Sequence, residues 1–255
     1  MANSINTNYG ANVALQTLNA TNRALATTQN RVSTGQAVSS AKDNGAIFAI
    51  ATNQRAEMSA LGSVKHSLQR GQSIVDVALA AGDTVIGALT EMKALAVAIE
   101  AGGSSATTTA LQADYDALQT EIDNALAGAD FDGENLWTAS VDVITDTAGT
   151  VKTIGMGTPS DATPADATAA DVQAAIEAFT ADLATLGTQS KSLERSVAFT
   201  SKMEDALEAG IGNLVDADLA KESARLTALQ TKQQLGVQAL SIANSSSSIL
   251  LGLFR

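Results

Sequence analysis

The chain has 255 residues and a formal net charge of −12; 45% of it is hydrophobic but only 3% is aromatic. Strong acidity argues against a nucleic-acid partner, and the absence of cysteine excludes disulfides, thiolate metal sites and a cysteine nucleophile. Apolar content made mostly of Ala, Leu, Val and Ile, with two prolines in all, suits long helices packed side by side.

No basic-then-apolar signal segment opens the chain, and no run of about 18 apolar residues is expected to span a bilayer. The expectation is a soluble protein that leaves the cell, if it does, by a route other than general secretion. Charge is unevenly spread. Residues 1–42 hold Arg23, Arg31 and Lys42 and no acid, while 219–255 hold Lys221, Arg225, Lys232 and Arg255 against Glu222. Each end is thus +3, which leaves −18 on the residues between. Two termini that share a chemistry the middle lacks are expected to share a location.

Helices are sought as apolar positions alternating three and four apart. The first segment offers Leu15, Leu18, Asn22, Leu25, Gln29 and Val32. The second runs Leu61, Val64, Leu68, Gly71, Val75, Ala78, Gly82, Val85, Leu89, Met92, Ala96 and Ile99, without proline. At 1.5 Å per residue it predicts a rod about 65 Å long. Gly102-Gly103 should end it, and Ser104 or Ser105 should cap a third helix carrying Leu111, Tyr115, Leu118, Ile122 and Ala125.

From Asp130 to Pro159 the texture changes. Asp132-Gly133 marks a turn. Val141, Val143 and Ile144, then Val151, Ile154 and Met156, flank Asp146-Thr147-Ala148-Gly149 and predict a small hairpin. Thr163-Pro164-Ala165-Asp166 offers an N-cap, a first-turn proline and an acid at N3. The seam resumes at Val172, Ile176, Phe179, Leu183 and Leu186 and continues through Leu193, Val197, Leu207, Ile211 and Leu214. A last segment reads Leu219, Ser223, Leu226, Gln230, Gln233, Val237, Leu240, Asn244, Ser247, Leu251 and Phe254. Between Leu214 and Leu219 the phase slips by one residue, which predicts a break at Val215–Asp218. The last segment also carries a second stripe, Leu229, Leu235, Ile242, Ile249, Leu250 and Leu253. A helix apolar on more than one face is expected to be buried on more than one face, here by neighbouring molecules.

The chemistry of sites is sparse. The single histidine, His66, lies beside the second seam with no ligand spacing around it. Gly155 and Gly157 lack the residues of a phosphate loop, and Asp114/Asp116 and Asp216/Asp218 read as a solvated face and a helix start. No catalytic, cofactor-binding or metal residue is expected.

Several stretches resemble a known family, the bacterial flagellins. They are Ser4-Ile-Asn-Thr-Asn8, Leu15 with Leu18-Asn19, Arg31 with Ser33-Thr-Gly35, and Ser40-Ala-Lys-Asp-Asn-Gly-Ala46. Phe131-Asp-Gly-Glu-Asn-Leu136 is similar to the family's FNGxNLL-like turn, and Gln238-Ala-Leu-Ser-Ile-Ala-Asn-Ser245 with Leu251…Leu253-Phe254-Arg255 to its C-terminus. The resemblance covers about two-thirds of the chain. It implies a mainly α fold: long antiparallel helices in a coiled-coil or bundle rod, a small β-hairpin at the tip, and N- and C-termini paired. It further implies an inner domain, D0, from 1–40 with 219–255, and a rod, D1, over 41–218 with the hairpin and loop at about 130–160.

By the same resemblance the chain is a structural subunit that self-polymerises into the flagellar filament for swimming. It would leave unfolded by type III export, meet an export chaperone, a cap and hook-associated proteins, and reside outside the cell. No nucleic acid, membrane or cofactor is implied. The side chains expected to carry self-assembly are Leu15, Leu18, Leu25, Val32, Leu226, Val237, Leu240, Ile242, Ile249, Leu251, Leu253 and Phe254. The alternative is a hook–filament junction protein or another coiled-coil structural protein. A junction protein usually shows an acidic-acidic-proline-alanine run where this chain has Asp43-Asn44-Gly45-Ala46. Finally, Leu89-Thr-Glu-Met-Lys-Ala-Leu-Ala-Val97 aligns with the family run Leu-Gln-Arg-Val-Arg-Glu-Leu-Ala-Val, the surface read by Toll-like receptor 5. This makes Leu89, Glu91, Lys93 and Ala94 the candidate receptor-facing surface, with the family arginine replaced by Glu91 and its glutamate by Ala94.

Overall fold

The structure, a computed structural model, describes residues 8–157, 160, 162–164 and 166–253, with side chains as far as 245. In chain order the elements are α1 (Tyr9–Thr34), α2 (Gly45–Glu100), α3 (Ser105–Ala127), β1 (Val141–Ile144), β2 (Val151–Ile154), α4 (Ala169–Val215) and α5 (Leu219–Leu253). The mainly α architecture with one small antiparallel sheet is the one expected. By packing, the chain separates into two compact units: Met1–Arg55 with Leu207–Arg255, and Ala56–Ala206. Their borders fall inside α2 and α4.

Helix ends follow local chemistry. Asn8 caps α1 by accepting from the Ala11 amide at 3.0 Å, and Gly35, at φ 72°, closes it in the left-handed conformation glycine tolerates. Asn44 Oδ1 accepts from the Ala46 and Ile47 amides, so α2 starts at Gly45, well before the first seam residue. With no breaker in its path it runs 56 residues, about 84 Å at 1.5 Å each. Ser104 caps α3 as expected.

The start of α4 differs from expectation. The helix begins at Ala169, where Thr168 Oγ1 accepts from the Asp171 amide at 3.1 Å and donates to Asp171 Oδ2 at 2.6 Å. The Thr163-Pro164 signal is overridden because its segment is used for packing: Ala162 and Pro164 are buried, and the Asp166 carbonyl accepts from the Tyr115 hydroxyl at 3.3 Å. The break before α5 lies where the phase slip placed it. Helix α4 ends at Val215, and Asp218 Oδ1 accepts from the Lys221 amide to start α5.

The core of the Ala56–Ala206 unit is built on α2. From Leu61 to Ala96 every seam position is buried, with Ile99 half-buried. Ile74 and Ala88 are buried too, although they lie off that seam. A 3.5-residue seam serves one partner, whereas α2 packs against α3, α4 and the hairpin and needs a wider stripe. Two glycines let neighbours approach: a Cβ at Gly71 would sit 2.6 Å from Val143, and one at Gly82 would sit 2.2 Å from Leu183. Trp137 stacks on Phe179 at 4.5 Å between ring centroids, and its indole N–H donates to the Ala78 carbonyl at 3.2 Å. A buried ring thus keeps its one donor satisfied.

The hairpin pairs Val141 with Ile154 and Ile144 with Val151. Val141 and Val143 point inward while Asp142 and Ile144 are exposed, the period of two that a half-buried strand requires. Asp146 Oδ1 accepts from the Ala148 and Thr150 amides at 2.9 and 2.8 Å, and Gly149 takes φ 84° to close the turn. Ser67 Oγ accepts from the Ile144 amide, and Gln189 bonds both the N–H and the carbonyl of Gly155, so α2 and α4 each hold the sheet.

One compositional expectation is corrected. Helix α2 contains an 18-residue window of mean hydropathy 1.5, long and apolar enough to cross a membrane by length and composition. Leu68, Val75, Val85, Leu89 and Met92 of this helix instead lie in the bundle core. A seam rich in Ala and Val raises mean hydropathy without a continuous run of large apolar residues.

Candidate self-assembly surface

In the Met1–Arg55 and Leu207–Arg255 unit, α1 and α5 lie side by side. They run antiparallel, as the bonds along their length show. Asn8 Nδ2 donates to the Ala243 carbonyl at 2.7 Å, Gln233 Nε2 donates to Asn22 Oδ1 at 2.8 Å, and Arg31 Nη1 donates to Glu222 Oε1 at 3.2 Å. Near the turn, the Ala37 and Val38 amides donate to the Val215 carbonyl, and the Ala217 amide donates to the Gly35 carbonyl. The pairing of the two ends expected from their shared charge is therefore present.

The face that pairs is not quite the expected one. On α1 the buried residues are Thr21 and Thr28, while Asn22 and Gln29 are exposed. A threonine hydroxyl can satisfy itself within its own helix, as Thr21 does by donating to the Thr17 carbonyl at 2.9 Å. The Asn22 amide stays exposed instead, at the edge of the pairing, where its Oδ1 accepts from Gln233 Nε2. On α5 the face runs through Glu222, Leu226, Leu229, Gln233, Gly236 and Leu240, and a Cβ at Gly236 would sit 3.3 Å from Leu18.

This rotation divides the expected assembly side chains into two sets. Leu18, Leu25, Val32, Leu226 and Leu240 are half-buried. Leu15, Val237 and Ile242 are left 45%, 54% and 68% exposed, joined by Val13, which was not anticipated, and by Leu235 of the second stripe. The backbone of α5 continues through Ile249, Leu251 and Leu253, but their side chains, and Phe254 altogether, lie outside the described residues. Glu222 is only 8% exposed, and among the described residues its Oε2 and Arg31 Nε make no hydrogen bond beside the 3.2 Å pair.

Asp43, in the loop before α2, accepts through one oxygen from the amides and hydroxyls of both Ser39 and Ser40. These bonds, the Ser40 hydroxyl foremost, hold its carboxyl below the usual value. In the other unit, Leu89 of the candidate receptor surface is wholly buried in the core, which corrects its placement there. It is a seam residue, and the bundle takes it. Lys93 is half-buried and donates to Gln173 Oε1. Glu91 and Ala94 are exposed and line a groove of about 520 Å³ with Leu95, Asp114, Ala117, Leu118 and Glu121. His66 is exposed. Among the described residues no group of three His, Cys, Asp or Glu side chains is placed to hold a metal ion.

What the fold defines is a mainly helical protein that leaves apolar side chains exposed on its paired terminal helices. Residues 5–142 match the bacterial flagellin N-terminal helical region, and residues 170–254 match the bacterial flagellin C-terminal helical region. The flagellin FljK of Caulobacter vibrioides is 48% identical over 99% of both chains. A flagellin of Brucella melitensis is 36% identical over 99% of both, and flagellin C of Rhizobium meliloti 33% identical over 99% of both. The solved Bacillus cereus flagellin matches 63% of this chain and 94% of its own at 20% identity, with a TM-score of 0.37.

The chain belongs to the bacterial flagellin family. It is a short member that lacks the hypervariable outer domain, and it is a structural subunit that self-polymerises into the extracellular flagellar filament. Identity to flagellins along the whole chain does not favour a hook–filament junction protein.

Proposed function

We propose that the chain works by assembly alone, with no catalytic activity, and that its terminal helices are the inner, filament-forming element. In this reading 1–40 with 219–255 make up D0, and 41–218 make up the D1 rod. The subunit leaves unfolded by type III export, accompanied by a chaperone, and adds to the filament beneath a cap and beyond hook-associated proteins.

The observation that carries the reading is the apolar surface α1 and α5 leave uncovered. Leu235, Val237 and Ile242 are each more than half exposed on one helix. Burying the part of one such side chain that is still exposed is worth about 1–2 kcal/mol, so several together give contacts with neighbouring copies a substantial driving force. Ile249, Leu251, Leu253 and Phe254 continue the apolar composition of this segment in sequence. The test removes residues 240–255 and compares polymerisation with the intact chain by sedimentation and electron microscopy. The truncated chain should keep the fold of the Ala56–Ala206 unit and form no filaments. Filaments of normal length from it would overturn the proposal.

A further inference from the structure

The Ala56–Ala206 unit carries two complementary features on its surface. The first is the groove between α2 and α3. Its floor is Leu95 and Leu118, both half-buried, and its rim is Glu91, Asp114 and Glu121, all exposed. The second is a stripe on α4. Lys191, Arg195, Phe199, Lys202 and Met203 follow the three-and-four spacing of one helix face and are all exposed. Phe199 is 64% exposed, although Phe179 on the same helix is fully buried. Glu194 and Asp205 flank the stripe rather than interrupt it.

We propose that the α4 stripe of one copy seats in the α2–α3 groove of a second copy, with Phe199 entering between Leu95 and Leu118. This inference rests on the reading that the chain polymerises, and it names one contact within that polymer. Three arguments select a second copy as occupant. The charges are opposite: three cations on the stripe meet three carboxylates on the rim. There is room for the ring, since the groove is open, has an apolar floor and encloses about 520 Å³. The two features are different surfaces of one chain, so the contact is head-to-tail and leaves a free stripe and a free groove at the ends. A contact of that kind propagates from copy to copy instead of closing on itself in an isologous dimer, and gives an open helical filament wherever the rotation does not close into a ring.

The experiment reverses each side separately. One variant carries Lys191→Glu and Arg195→Glu; the other carries Glu91→Lys and Asp114→Lys. All four positions are exposed, and folding is checked by circular dichroism and Trp137 fluorescence. Each variant alone should need at least a tenfold higher concentration than the unmodified chain to polymerise. An equimolar mixture should polymerise near the unmodified concentration, because the reversed stripe of one variant fits the reversed groove of the other. Either variant polymerising alone like the unmodified chain would overturn this contact, as would a mixture no better than its components. Failure of the unmodified chain to form filaments would overturn the assembly reading itself, and this contact with it.

Discussion

Replacing Gly71 with Ala tests how α2 meets the hairpin. In an exposed helix interior, Gly→Ala stabilises by up to about 1 kcal/mol. At Gly71 the added Cβ would lie 2.6 Å from Val143 Cγ2, 3.4 Å from its Cγ1 and 3.5 Å from Ile154 Cδ1. Val143 has little room to yield. It is 2% exposed, its branched side chain is stiff at χ1, and the next residue's amide is tied to Ser67. Overpacking of this kind costs about 1–3 kcal/mol, which exceeds the propensity gain. The expected result is a net loss of up to about 2 kcal/mol, read as a fall of up to roughly 8 °C in melting temperature for a chain of this size. Gly87 supplies the control: it lies on the same helix, is exposed, and has nothing within 4 Å of an added Cβ. Gly87→Ala should raise the melting temperature by about 1–3 °C. Thermal unfolding followed by the fluorescence of Trp137, the chain's one tryptophan, reports on this unit. Equal shifts for both variants, or a stabilised Gly71→Ala, would refute the packing argument.

Three further expectations follow. The Asp43 carboxyl is held below its ordinary 3.8 by its serine bonds, so its contribution is present above that value and is lost as pH falls through the folded value. An NMR titration should show this midpoint below 3.8, and Ser40→Ala should move it upward. In the isolated monomer, amides of α1 and of 219–245 should exchange with solvent much faster than those of 61–96. Only Thr21 and Thr28 are buried along α1, while α2 is buried throughout its seam; equal protection would contradict it. Glu91 and Ala94 stand where the family run has arginine and glutamate, so the protein should activate Toll-like receptor 5 poorly in a reporter assay. Glu91→Arg with Ala94→Glu should raise potency, and full potency of the unmodified protein would end the idea.

The sequence alone determined the helices, because their cause is local and periodic. The α2 seam from Leu61 to Ala96 is buried position by position, Ser104 caps α3, and the hairpin closes on Asp146 and Gly149. The slip between Leu214 and Leu219 was legible for the same reason: a one-residue change of phase marks where a helix must stop. The paired termini were legible from charge and from the resemblance of both ends to one family. What only the tertiary structure decided was rotation and partnership. Whether Leu15 or Thr21 faces α5 depends on what the partner offers and on whether a buried hydroxyl can satisfy itself, which no spacing reports. Helix α4 starts at Ala169 and not near Thr163 because Ala162 and Pro164 are needed in the packing. Leu89 lies in the core while Glu91, two residues on, rims a groove. That groove exists only once α3 folds back against α2.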